Sequence, residues 1–131
     1  MWHDTYALGV EDIDLQHHYF LNLINRLGTE IAKPENQEYV EALISELNAY
    51  ARFHFTSEET MMLHSDYPQY EAYRRHHIEL IELLSIKEYN LLHPKSTEEA
   101  EAIIDFLTEW FVHHTMEEDR AFTTFLQQRG S

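Results

Sequence analysis

Four histidines and two carboxylates have the types and spacing to hold metal: His17, then His54 with Glu58, then His77, then His114 with Asp119. Each group falls on the apolar stripe of its own helix-like segment. A buried imidazole or carboxylate in such a place needs a hydrogen-bond partner or a cation. The chain has no cysteine, so a metal would meet only nitrogen and oxygen. That donor set suits iron or manganese as well as zinc. His54 and Glu58 are four residues apart and project from one helix face. There the carboxylate can bridge two metals while the imidazole binds one. Any one of these histidines alone is more often a surface or satisfied core residue. The case for a metal cluster rests on convergence: four helices each place a histidine near mid-length, at one layer of an antiparallel bundle.

Neighbours at helical spacing select the inward member of each histidine pair. His17 keeps company with Ile13, Phe20 and Ile24, whereas His18 sits among Asp14, Asn22 and Asn25. His77 shares a face with Tyr73, Ile81 and Leu84, while His76 lies about 100° round, near Glu79. His114 follows Leu107 and Trp110 inward, so His113 is the weaker candidate. His3, His64 and His93 fall in the arm or near turns and are expected to be exposed. Glu58 and Glu59 together also read as an ordinary acidic helix face. Met61-Met62 and the Phe/Trp stripe near the C-terminus read as core packing. One ambiguity stays open. Glu118 is four residues from His114 and repeats the His54–Glu58 spacing, whereas Asp119 is five away. In a regular α-helix five residues turn by about 140°, so Asp119 reaches the site only where the helix is under-wound, as in a π-bulge.

These groups need four long helices. The first is predicted over 12–32, with Ile13, His17, Phe20, Ile24, Leu27 and Ile31 inward. Lys33-Pro34-Glu35-Asn36 breaks it. The second runs over 36–64 and carries Leu43, Leu47, Tyr50, His54, Met61 and Met62. After the Ser65-Asp66-Tyr67-Pro68 turn, the third covers 69–91, with Tyr70, Tyr73, His77, Leu80, Ile81 and Leu84 inward. Ser96 and Glu99 form a capping-box pattern that opens the fourth, over 97–128. Residues 1–11 form a short arm. Short connections imply antiparallel neighbours, hence an all-α, up-down-up-down four-helix bundle forming a single domain over 1–131.

Composition agrees. At 131 residues the chain can bury a real core, and three Gly and three Pro permit long helices. A formal charge of −15 disfavours nucleic acid and anionic membranes as partners. No apolar stretch can span a bilayer and no signal peptide is visible, so a cytoplasmic protein is expected. A monomer is compatible with this picture.

The chain also resembles the hemerythrin family, in its single-domain bacterial form. Gly9 to His17, with Gln16 before the histidine, looks like that family's opening segment. His54-Phe55-Thr56-Ser57-Glu58 looks like its His-x-x-x-Glu segment, Tyr67-Pro68 through His77 like its third, and His114 followed by Asp119 like its closing His-x-x-x-x-Asp. The resemblance covers nearly the whole chain in order. It implies a non-haem di-iron site, oxo- or hydroxo-bridged, that binds dioxygen. By that likeness His17 and His54 would serve the iron with an open position, His77 and His114 the filled one, and Glu58 and Asp119 the bridges. The resemblance therefore favours Asp119 over Glu118. Two positions depart from the family pattern. Tyr73 stands where a fifth histidine is usual, and Thr115 where bacterial members place an apolar residue, often isoleucine. Tyrosine can bind ferric iron as phenolate, so Tyr73 joins the expected ligands.

The expected function is oxygen binding at a di-iron centre, for storage, delivery or sensing, and not primarily enzymatic. The rivals are a di-iron oxidase or peroxidase with a tyrosine-modified ligand set, and a metal-handling or structural bundle.

Overall fold

The computed structural model describes residues 7–129 apart from Ala32, Pro34 and Asn36, and leaves the side chains of His114 and Thr115 undescribed. His3 and most of the predicted arm thus lie outside the described residues. Helix α1 spans Glu11–Glu30, α2 Gln37–His64, α3 Tyr70–Leu92 and α4 Thr97–Trp110. The helical path then widens into six residues of π-helix, Phe111–Met116, before α5 resumes over Glu117–Arg129. The first three predicted helices therefore stand within about two residues of their expected ends. The fourth is a single rod with a π segment inside it. In cross-section α1 packs on α2 and α4, and α3 packs on α2 and α4. This is a closed four-helix bundle, with no strand among the described residues.

Local chemistry sets the ends of the helices. The Ser96 hydroxyl accepts from the Glu99 N–H at 3.0 Å and starts α4. Helix α2 stops in a Schellman arrangement: Tyr67 N–H bonds to Met62 C=O at 2.9 Å and Asp66 N–H to Leu63 C=O at 3.3 Å. Asp66 supplies the left-handed residue, at φ 55°. Before α1, the Asp14 carboxylate accepts from the N–H groups of Leu8 and Gly9 at 2.7 and 3.1 Å. Gly9 has φ +86°, and a Cβ there would meet the Gln127 amide at 2.5 Å. That amide donates to Leu8 C=O at 2.9 Å and ties α5 to the start of the chain.

The core has two apolar parts. The larger draws on α1 to α4 and the π segment and centres on Phe20, Ile24, Leu47, Leu84, Leu107 and Phe111. The smaller holds Leu8, Ile13, Met62, Tyr67 and Phe122. Three polar candidates fall between the two along their helices: His17 between Ile13 and Phe20, Glu58 between Phe55 and Met62, and Asp119 between Met116 and Phe122. One polar cluster lies elsewhere, between α2 and α3. Glu88 is buried there, accepts from the Asn48 amide at 2.6 Å, and has Arg52 bonded to the same Asn48 at 2.8 Å. Burial pushes the Glu88 carboxyl up to about 7, against the opposing pull of Asn48 and Arg52.

Candidate metal centre

Helical phase delivers five of the predicted groups to one buried layer. His17, His54, Glu58, His77 and Asp119 are all buried. One ligand atom from each of His17, His54, Glu58 and Asp119 lies within 4.8 Å of the others. His17 Nε2 is 2.6 Å from Asp119 Oδ2. His54 Nε2 is 3.3 Å from both Asp119 Oδ2 and Glu58 Oε1. His77 approaches from the other side, its Nε2 3.7 Å from Glu58 Oε1.

The π segment decides between Glu118 and Asp119. With i→i+5 bonding, five residues return the chain to nearly the same face. Asp119 consequently points into the layer and is buried, while Glu118 is half-buried and pairs with His76 at 2.7 Å. Burial, then the charge of Asp119, raises the Glu118 carboxyl to about 7. His114 lies in the π segment, but its side chain is outside the described residues. His18 and His113 are exposed, as are His64 and His93. Tyr73 sits one turn before His77, its ring 6.4 Å from the imidazole. Its hydroxyl donates over a long 3.4 Å to the Glu118 carbonyl. Burial, then Tyr67, raises its phenol above the ordinary range.

The electrostatics of the layer call for a cation. Burial, then the charge of Asp119, pushes the Glu58 carboxyl well above the usual carboxylate range. Burial acts the same way on Asp119, but the closeness of Glu58, His17 and His54 outweighs it and holds that carboxyl low. Burial lowers His54 and His77, with Asp119 and Glu59 respectively opposing. Neither Glu58 oxygen has a hydrogen-bond partner, nor does His17 Nδ1. A fully buried carboxylate with both oxygens unsatisfied is costly unless a cation takes them up. Imidazole and carboxylate donors fit iron.

Aromatic rings close the layer from the larger core. Phe111 stands edge-on to His17 at 5.3 Å and stacks on Phe20 at 4.6 Å. Phe55 stacks on His77 at 4.2 Å, nearly parallel.

Two groups around the layer escaped the sequence reading. Gln16 accepts from His54 Nδ1 at 2.7 Å and donates to Ser57 at 3.1 Å. Glu59, which reads as part of an acidic face, accepts from His77 Nδ1 at 2.8 Å. Glu59 carries no signal but adjacency to Glu58, and Gln16 is marked only as part of the segment that leads to His17.

Comparison with known proteins agrees with this geometry. Residues 8–126 match the Hemerythrin HHE cation binding domain. The chain is 30% identical to a bacteriohemerythrin of Clostridium acetobutylicum, over 93% of this chain and 97% of that protein. It is 28% identical to one of Stenotrophomonas maltophilia, over 93% of this chain and 78% of the other. Against one of Ralstonia nicotianae the identity is 27%, over 98% and 90% of the two chains.

Proposed function

The chain belongs to the hemerythrin family, and from that premise we propose that it is a cytoplasmic protein binding dioxygen at a pair of non-haem irons, for storage, delivery or sensing. The observation that carries this reading is the buried layer itself: Glu58 with both oxygens unsatisfied, facing His17, His54 and Asp119. His17 and His54 would hold one iron, His77, His114 and Tyr73 the other, with Glu58 and Asp119 between them. Once bound, the irons supply the positive charge the carboxylates require and the electrons that dioxygen binding draws on.

The remaining work falls to the chain's own residues. Phe20, Phe111 and Phe55 keep bulk water from the layer and hold the imidazoles in fixed orientations. Gln16 and Glu59 keep the proton of His54 and His77 on Nδ1, which leaves each Nε2 lone pair facing inward. Ligation by Tyr73 would exchange its long bond to the Glu118 carbonyl for a metal. No helix among the described residues is long and apolar enough to cross a membrane.

The test combines metal analysis with optical spectroscopy on protein from iron-replete medium. Two irons per chain, and a visible spectrum that changes on admitting oxygen and returns under vacuum, are expected. One metal per chain, or zinc alone, refutes the di-iron reading. Immediate conversion to the ferric form with peroxide turnover would make the protein an enzyme instead.

A further inference from the structure

The three described imidazoles of the layer are anchored unequally. His77 Nδ1 donates to the Glu59 carboxylate at 2.8 Å. His54 Nδ1 donates to a neutral amide oxygen, that of Gln16, at 2.7 Å. His17 Nδ1 has no partner. An anionic acceptor strengthens the hydrogen bond and raises the basicity of the far nitrogen more than a neutral one does. The donor strength of Nε2 is therefore graded, with His77 first, His54 second and His17 last. Two further observations bear on the strong end. Phe55 stacks within 8° of parallel on the His77 ring. Glu59 itself is only 23% exposed, at the edge of a surface groove of about 600 Å³ that it lines with Arg52, Glu82 and Ile78.

We propose that Glu59 is a positioning residue that fixes the His77 tautomer and, through its charge, makes the His77 end of the layer the tighter-binding and more oxidation-prone end. This rests on the iron-binding reading above. The carboxylate does not touch metal; it acts through the imidazole. Loss of its charge weakens the His77 donor and stabilises ferric iron less, so the midpoint potential rises.

The experiment is an anaerobic titration of ferrous iron into the metal-free full chain, for the parent, Glu59→Gln, Glu59→Ala and Glu82→Gln. Glu59→Gln is expected to weaken the tighter of the two iron sites roughly 10- to 100-fold and to raise the midpoint potential of the loaded protein. Glu82→Gln removes an exposed charge from the same groove and should change neither. In metal-free protein, long-range proton–nitrogen spectra should place the His77 proton on Nδ1 in the parent and lose that preference in Glu59→Ala, with His54 unaffected. Glu59→Gln is nearly isosteric and carries the test if Glu59→Ala fails to fold. An isotherm and potential for Glu59→Gln that superimpose on the parent's overturn the proposal. An equal shift in Glu82→Gln overturns it too, because bulk charge would then suffice. A parent that takes up no iron defeats the di-iron reading, and the tautomer measurement still decides whether Glu59 fixes His77.

Discussion

At the scale of single residues, burial separates His17 from His18, His77 from His76 and Asp119 from Glu118. His54→Ala and Glu58→Ala should abolish iron and oxygen binding, whereas His18→Ala and His113→Ala should leave both intact, because the latter two side chains are exposed. Iron-to-protein ratios and oxygen-difference spectra check this; equal losses in His18→Ala and His54→Ala would refute the facing assignment. Tyr73 gives a second expectation. Burial and Tyr67 keep its phenol protonated in the metal-free chain, so only a bound ferric ion would ionise it. A phenolate-to-iron absorption band should appear in the ferric protein and vanish in Tyr73→Phe; identical ferric spectra would remove Tyr73 from the ligand set. His17, His54 and His77 were legible because each carries its apolar neighbours at helical spacing. Gln16 and Glu59 were not, since a bond from one helix to the next depends on how the helices cross, which periodicity does not encode.

At the scale of elements, the four helices follow from their apolar stripes, and the capping oxygen of Ser96 sits where the sequence places it. The π segment was legible only as a condition attached to Asp119, because the bonding of one turn leaves no mark in composition. Deleting Val112 should close it into regular α-helix. In the closed helix α4 and α5 keep their phase, but His114 and Asp119 remain five residues apart and so about 140° round from each other, and the two could not both face the layer. Iron binding should be lost while the circular dichroism remains helical; a variant that keeps full iron would show the π segment to be dispensable. Glu88 is not legible in the sequence, because a glutamate on a helix is expected to face water. Its folded value, about 7, lies above the ordinary 4.5. Both states hold the proton below about 4.5; as pH rises from there to about 7 the unfolded chain ionises first. Stability therefore falls through that window and levels off above it. The loss should be on the order of 1 kcal/mol after allowance for solvent screening. Glu88→Gln should flatten the slope between urea melts at mildly acidic and mildly alkaline pH.

At the scale of the whole molecule, a polar layer divides two apolar parts of the core, and metal binding is coupled to the integrity of the bundle. Chelation of the iron should lower stability by about 3 kcal/mol at ligand excess of roughly a hundred times Kd, or on the order of 10 °C in Tm. Differential scanning calorimetry with and without chelator measures it. An unchanged Tm would mean that the layer is satisfied without metal.

The π segment also sets a clock. Of the four groups that converge within 4.8 Å, three stand on α1 and α2, and Asp119 alone stands on α5. Helix α5 has 13 residues and docks through Phe122, Phe125 and Leu126 onto the smaller apolar cluster. A local opening hinged at Phe111–Met116 would swing Asp119 out and leave His17, His54 and Glu58 in place. Helix α5 would then act as a latch, and the residence time of a bound metal is expected to follow the lifetime of the latched state rather than that of the folded bundle. Amide hydrogen exchange over residues 117–129 should keep pace with metal release, and both should run ahead of exchange in α1 and α2.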